Sequence, residues 1–319
     1  MNTNPNIIAP IKEPGKINYF IGKVTSVNQG YHFANINLQL TNKSDVNIKL
    51  NKDILSPKPI LGQIYCFETV CLVKNTELIF MHQKFTLAQD SLDMQTLYEV
   101  FQSFYECAPI SFAVVATDLE KYLDKIKNHI LKTVTTNLYL RYKNKFLISK
   151  AALKIHHNYY GGLGYHTLTM LKMAEPILNI YPFLNSDLLY AGIILHDMAK
   201  IQEIDFNKKE YTKEGKLLGH LVMIACDVEV EANLLGYQTK EEILLLKHML
   251  IAHHGLLEYG SAKKPQIGEV LLLWYLDNID CKLTSLSEML QKTDSQTFTE
   301  SIPVLEKRNF YKPLLSDDN

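Results

Sequence analysis

Asp187-Leu-Leu-Tyr-Ala-Gly-Ile-Ile-Leu-His-Asp-Met-Ala199 is an almost unbroken apolar run that closes on the adjacent pair His196-Asp197. Its length and composition predict a helix over 187–199, buried on most of its sides. A carboxylate in such surroundings stays ionised only with a cation or hydrogen-bond donors beside it. Lys200, three residues past Asp197 and four past His196, shares their helix face. A cation there suits an anionic substrate better than it suits a sealed core.

Outward from that pair, the chemistry is concentrated in one half of the chain. Eight of the 11 histidines fall between positions 156 and 254. His166 follows a Gly-Gly-Leu-Gly-Tyr turn, and His220 sits between Gly219 and Leu221-Val222. His253-His254 closes an apolar helix before Gly255, and Asp277 lies on the helix that holds the only Trp, Trp274. Taken singly, a histidine on an apolar face reads as a hydrogen-bonded core residue, and His129 and His248 are read that way. Taken singly, His196-Asp197 is equally a buried ion pair or a helix-end cap. In series, His, His-Asp, His, His-His and Asp, each at a helix end or on an apolar stretch, form a set of N and O donors suited to divalent metals.

The rest of the chain sets the frame. At about 150 residues per domain, 319 residues predict two domains. A hydrophobic content of 47% excludes collagen-like, disordered and disulfide-scaffold classes. Residues 16–88 read as a small β domain: segments 19–27, 32–40, 46–50, 64–73 and 78–80 are short, rich in β-branched and aromatic residues, and separated by turn chemistry. About five strands at that spacing suggest a small barrel or sandwich, an OB-like barrel being one option. From about residue 90 the period becomes helical, with one amphipathic helix running through Leu119, Ile126, Ile130, Val134 and Leu138. Further helices are expected over 167–174, 217–231, 240–252 and 266–282. The fold class is therefore α+β and multi-domain. Residues 1–15 form a flexible N-terminus, 16–88 the β domain and 89–150 a helical linker region with a basic stretch. Residues 151–292 make an all-α domain, and 293–319 a polar tail.

The five cysteines, with no CxxC among them, suggest neither a disulfide framework nor a zinc ribbon. No apolar run reaches the roughly 18 residues that span a bilayer, and residues 1–14 lack the apolar core of a signal peptide. A cytoplasmic protein with no membrane partner is expected. The net charge of −1 excludes a wholly basic nucleic-acid coat. It hides a local excess, however. Between Glu120 and Lys172, ten Lys and Arg face only Glu120 and Asp124, with Tyr122, Tyr139, Tyr142, Phe146, Tyr159 and Tyr160 interleaved. Lysines for phosphates and aromatics for bases make up the composition of a single-strand path, against the alternative of a solvated helix face over core tyrosines.

These residues carry a resemblance. His166, His196-Asp197, His220, His253-His254 and Asp277, in that order, resemble the HD-domain superfamily of metal-dependent phosphohydrolases in its two-metal form. More closely, His157-Asn-Tyr-Tyr-Gly-Gly-Leu-Gly-Tyr-His166-Thr, Leu188 to Asp197, Glu214-Gly-Lys-Leu-Leu-Gly-His220 and His253-His254-Gly-Leu-Leu-Glu-Tyr-Gly-Ser261 are similar to YhaM-type 3′→5′ exoribonucleases. Arg308-Asn-Phe-Tyr-Lys-Pro313 is similar too, so the likeness covers about residues 90 to 313. In that family an OB-fold precedes the HD domain.

The resemblance implies His166, His196, Asp197 and Asp277 around one metal. It implies Asp197, His220 and His253 around a second, with Asp197 shared. Lys200 and His254 would face the scissile phosphate, with Asp197, Lys200 and His254 as the catalytic groups. Asp280 competes with Asp277 for the last ligand place, and Asp277 is preferred. His157, Lys263 and Lys264 are candidate substrate contacts. Ligation by His and Asp without thiolates points to two Mn²⁺ or Fe²⁺ ions. The expected activity is 3′→5′ hydrolysis of single-stranded RNA, with single-stranded DNA as a second substrate, to nucleoside 5′-monophosphates. A homo-oligomer is implied as well. The nearer rival is an HD-type cyclic-(di)nucleotide phosphodiesterase or nucleotide phosphohydrolase. Gly260-Ser-Ala-Lys-Lys-Pro265 lacks the Gly-Tyr-Pro of the branch that cleaves cyclic dinucleotides. A rival of another class is an OB-fold nucleic-acid-binding or replication-associated protein.

Overall fold

The computed structural model describes residues 10–30, 34–50, 58–153 and 157–315. The first two residues of the strand expected over 32–40, Lys154 of the basic stretch, most of segment 1–15 and the closing Ser-Asp-Asp-Asn lie outside the described residues. The chain divides into two compact units, Met1–Cys107 and Ala108–Asn319.

The first unit is a closed five-stranded barrel of β1 (Ile17–Gln29), β2 (Ala34–Leu40), β3 (Asp45–Lys49), β4 (Ile64–Lys74) and β5 (Glu77–Leu87). The strand order is β1-β2-β3-β5-β4, and β1 pairs with β4 to close the ring. Strict alternation drives it. In β2, Ala34, Ile36, Leu38 and Leu40 face inward while Asn35, Asn37 and Gln39 face outward. Phe20, Val24, Val46, Ile48, Tyr65 and Phe67 complete the interior. The order and closure are those of an OB-like barrel. The last strand is far longer than the expected 78–80, and a register shift opposite Glu68 and Thr69 interrupts its alternation. Two short helices, α1 (Ala88–Ser91) and α2 (Met94–Gln102), finish the unit. Asp93 caps α2 by accepting from Gln95 N and Thr96 N, both at 3.0 Å.

The second unit is helical: α3 (Phe112–Lys125), α4 (His129–Ile148), α5 (Gly162–Ile180), α6 (Ser186–Leu195), α7 (Lys200–Glu203), α8 (Lys213–Leu235), α9 (Glu241–Ala252) and α10 (Gly268–Gln291). The stretch 89–150 is thus split between the two units rather than forming a region of its own. The single helix expected through Leu119 and Leu138 is two, separated by Ile126-Lys127-Asn128. Asn128 caps α4 through Leu131 N at 3.0 Å. Three intervening residues are close to one helical turn, so both helices keep their apolar faces in phase and the break leaves the periodicity intact. The unit is not entirely α either. A two-stranded ribbon of β6 (Ile204–Asp205) and β7 (Glu210–Tyr211) links α7 to α8. The tail folds back on itself through the pairs Phe298–Tyr311 and Ile302–Arg308, with Ile302 and Leu305 buried.

Helix α6 is the centre of this unit. It touches α3, α4, α5, α9 and α10, and every residue from Leu188 to Leu195 is buried. Its neighbours point their own functional residues at its C-terminal end. Among the described residues no helix is long and apolar enough to cross a membrane.

Because Leu189 is fully buried in α6, Leu189→Ala is expected to lower the unfolding free energy by about 2–5 kcal/mol in urea titration. The same change at Leu234, 75% exposed on α8, is expected to shift it by no more than about 0.5 kcal/mol.

Candidate metal centre

Asp197 stands one residue past the His196 C-cap of α6 and is 3% exposed. Its two oxygens face two different sets of histidines. Oδ2 lies 3.4 Å from His196 Nε2 and 3.8 Å from His166 Nε2. Oδ1 lies 3.2 Å from His220 Nε2 and 3.9 Å from His253 Nε2. On the first side, His166 Nε2 is also 3.3 Å from His196 Nε2 and 3.4 Å from Asp277 Oδ1. On the second, the ligand atoms of His220, His253 and His254 lie within 4.8 Å of one another.

The histidines share one arrangement. Each commits Nδ1 to an acceptor of the protein: His166 to Asp280 Oδ2 at 2.6 Å, His196 to Ile193 O at 2.7 Å, and His220 to Glu203 Oε2 at 2.9 Å. His253 bonds Leu250 O at 2.8 Å, and His254 bonds Tyr259 O at 2.7 Å. Carbonyls and carboxylates accept only, so each Nδ1 carries a proton, and the Nε2 atoms of His166, His196, His220 and His253 are turned toward Asp197. Asp197 Oδ1, His220 Nε2 and His253 Nε2 are buried without any hydrogen-bond partner. Three orphaned acceptors around one point are costly unless a cation satisfies them. The donor set therefore fits divalent metal binding.

Local backbone explains how the chain delivers these rings. Helix α8 is interrupted at Gly219, whose φ of 72° is open to glycine at little cost. The break frees His220 N to bond Glu203 Oε1 at 3.1 Å and swings the imidazole inward. On α10, Asp277 and Asp280 are one turn apart on one face and take opposite edges of His166.

Electrostatics follows from the crowding. Burial works against the Asp197 carboxylate, but Lys200, His196 and His220 hold it well below the usual range. Lys200 Nζ sits 2.7 Å from Asp197 Oδ2. Burial disfavours that ammonium, yet Asp197 and Asp277 raise its pKa. Burial likewise opposes a charged His166, and Asp277 and Asp280 overcome it, taking the ring up to about 10. His253 goes the other way: burial and the neighbouring His254 hold it well below the ordinary value. His254 is lowered by burial and by His220.

All the residues expected at the metals and at the phosphate meet here, with Lys200 on the carboxylate and His254 against His220 and His253. Asp277 faces the Nε2 edge of His166 and Asp280 the Nδ1 edge, which separates the two candidates by position. His157, expected at the substrate, is instead 1% exposed, with Nε2 on Asp280 at 2.7 Å and Nδ1 on Tyr159 Oη at 2.6 Å. Both ring nitrogens are engaged inside the protein, which places it behind the ligand set. Lys263 and Lys264 stand exposed between Ser261 and α10. Glu203, the partner of His220, carries no signal along the chain. Nothing in Lys200-Ile-Gln-Glu203 distinguishes it from a solvent-facing glutamate.

The basic stretch also reads differently in three dimensions. Lys121 pairs with Asp118 at 2.8 Å, Lys132 with Asp124 at 3.2 Å, Lys143 with Glu120 at 2.6 Å, and Lys172 with Asp118 at 3.7 Å. Lys125 pairs with Glu175 and Arg141 with Glu231. Asp118, Glu175 and Glu231 lie outside the 120–172 window but against its helices. Tyr122, Tyr139 and Phe146 are buried core, Tyr142 donates to Asp227, and Tyr159 is bonded to His157. Among the described residues of this stretch, these aromatics form no stacking platform.

The HD domain family matches residues 163–281, which span the helices that carry the site. A Geobacillus sp. (strain WCH70) protein, "3'-5' exoribonuclease YhaM", is 41% identical over 214 residues, covering 67% of this chain and 66% of that protein. Proteins of the same name from Bacillus velezensis and Bacillus subtilis (strain 168) are 38% and 37% identical over 211 residues, 66% of this chain and 67% of each. The matched part thus spans about two thirds of these relatives' length.

Since His166 is held protonated up to about 10, a cation must displace a proton from its Nε2. His253 and His254, whose values are lowered, need no such exchange. Divalent-ion affinity is therefore expected to fall as pH falls, with protons released on binding. Calorimetric titration in two buffers of different ionisation enthalpy measures that release, and equal heats in both would contradict it.

Proposed function

The chain belongs to the YhaM 3′→5′ exoribonuclease family of HD-domain proteins, and from that premise we propose that it removes nucleotides one at a time from the 3′ end of single-stranded RNA. The products are nucleoside 5′-monophosphates. The observation that carries the reading is the division of the buried Asp197 carboxylate between two groups of imidazole Nε2 atoms, with its own Oδ1 and two of those nitrogens lacking any hydrogen-bond partner.

His166, His196, Asp197 and Asp277 would hold one divalent ion. Asp197, His220 and His253, with His254 beside them, would hold the second. Their all-N/O donor set favours Mn²⁺ or Fe²⁺ over a structural zinc. When bound, such a pair supplies a deprotonated water near neutral pH and neutralises charge growing on phosphoryl oxygens.

The chain's own residues do the rest. Asp197 places the two groups on either side of one carboxylate. Lys200, with Nζ 2.7 Å from Asp197 Oδ2, offers an ammonium to a phosphoryl oxygen of the terminal phosphodiester. His254 is held beside His220 and His253 because its Nδ1 donates to Tyr259 O. Glu203 and Asp280 fix the tautomers of His220 and His166. The bond that breaks joins phosphorus to the 3′ oxygen of the preceding nucleotide. None of these contacts reads a base, as suits an enzyme that must accept any sequence. Cleavage of single-stranded DNA, a cytoplasmic setting and self-assembly belong to the same reading.

The test is purified protein with Mn²⁺ and 5′-end-labelled single-stranded RNA, run beside the same sequence as DNA. A ladder that shortens stepwise from the 3′ end is expected. Asp197→Ala is expected to lose about 10³-fold or more in rate, since it removes several kcal/mol of charge stabilisation. RNA bound without turnover would leave a binding protein, and cleavage confined to cyclic dinucleotides would place the chain in the rival phosphodiesterase branch.

A further inference from the structure

Behind the ligand set lies a second layer that the proposed chemistry leaves unexplained. Asp280 Oδ2 is 2.6 Å from His166 Nδ1 and 2.7 Å from His157 Nε2. Thr284 Oγ1 lies 3.3 Å from the same His157 nitrogen. His157 Nδ1 is 2.6 Å from Tyr159 Oη. A carboxylate only accepts, so both histidines donate to it, and His157 is left with Nδ1 as the acceptor for the Tyr159 hydroxyl. The order is then settled from one end to the other: Tyr159 donates to His157, and His157 and His166 donate to Asp280. His166 is left with Nε2 facing Asp277 and His196.

The backbone is arranged for this contact. His157 is in the left-handed region at φ 55°, which few residues with a side chain adopt. Gly162 makes room for it, because a Cβ there would stand 2.1 Å from His157 O. Ala151 N donates to that same carbonyl at 3.2 Å. An uncommon conformation maintained by a specific glycine, presenting a ring that is 1% exposed to a buried carboxylate, points to function rather than filling. The two sides of Asp197 are also supported separately. His220 leans on Glu203, and His253 on the Leu250 carbonyl. Neither touches Asp280.

We propose that His157, backed by Tyr159, is a positioning residue for the first cation group alone: it holds Asp280 so that His166 presents Nε2 to the point shared with His196, Asp197 and Asp277. The inference rests on the reading of the site as a metal centre. It predicts a division that a general packing role would not produce, with one cation weakened and the other untouched.

The experiment is calorimetric titration of the metal-depleted full-length protein with Mn²⁺, with bound ions counted by electron paramagnetic resonance. The wild-type chain shows two binding events. His157→Ala weakens one of them 10–100-fold, the range for loss of a residue supporting a metal ligand, and leaves the other within about twofold. Tyr159→Phe weakens the same event by less. Glu203→Gln weakens the other event and so identifies it. RNA turnover by His157→Ala falls at limiting Mn²⁺ with KM for RNA unchanged, and recovers at high Mn²⁺. A folded His157→Ala protein that binds both ions as tightly as wild type, or that loses both alike, overturns the proposal. If His157→Ala does not fold, Tyr159→Phe decides, and two unchanged events overturn it. A wild-type chain that binds no Mn²⁺ sinks the metal reading itself, and this inference with it.

Discussion

The helical unit is organised around the burial of one carboxylate. Asp197 sits at the end of a helix with no exposed face, where an ionised group without compensation is prohibitively unfavourable. The compensation comes from Lys200 and His196 beside it in sequence and from His220 on α8, while α5, α9 and α10 bring His166, His253 and Asp277 to the same point. Each must arrive within a few ångströms, so the packing of α5, α9 and α10 against α6 and the geometry of the site are the same requirement. A helix that slipped by one turn would strand a charge as well as open a cavity.

A second regularity separates holding from presenting. The Nδ1 atoms face the protein and the Nε2 atoms face the centre, so each ring is locked by the scaffold before any ligand arrives. The locks differ in strength. His196, His253 and His254 lean on backbone carbonyls, neutral acceptors that move only with their helices or turns. His166 and His220 lean on carboxylates, which raise ligand basicity and are themselves held by further hydrogen bonds. The two sides of Asp197 also differ in protonation. His166 is held cationic by two aspartates, whereas His253 is kept neutral by burial among other histidines. The centre is asymmetric although one carboxylate serves both halves.

The lysine-rich stretch shows what a charge count along the chain leaves out. Ten basic residues against two acids within 120–172 looks like an open cationic track. Folded, six of those cations pair with acids, and four of those pairs reach acids outside the window. Exposed pairs of this kind are worth about 0–1 kcal/mol each, so they do not prevent contact with a polyanion. They reduce the excess that the count implied. The tyrosines between them alternate with the lysines because both follow a helical period, the lysines on the wet side and the aromatics on the dry one.

Much of this protein was legible along the chain. The switch from period 2 to period 3.6 separates barrel from helices, because the side-chain directions of strand and helix are local properties. The order His166, His196-Asp197, His220, His253-His254 and Asp277 marks the site, since titratable groups on apolar helices cost too much to recur there without a ligand. What stayed hidden depends on proximity in space. The break at 126–128 is invisible because its length preserves the helical phase. Glu203 looks like any surface glutamate until the kink at Gly219 turns His220 onto it. Asp277 and Asp280 are both plausible on a helical wheel, and only the edge of His166 that each one faces tells them apart. His157 reads along the chain as a substrate contact, because its partner Asp280 lies 123 residues away. Residue types and their periods determined which elements form and which side chains can react. Tertiary structure decided which atom of each side chain faces the centre and which is tied back, because hydrogen bonding between distant helices assigns a histidine's two nitrogens.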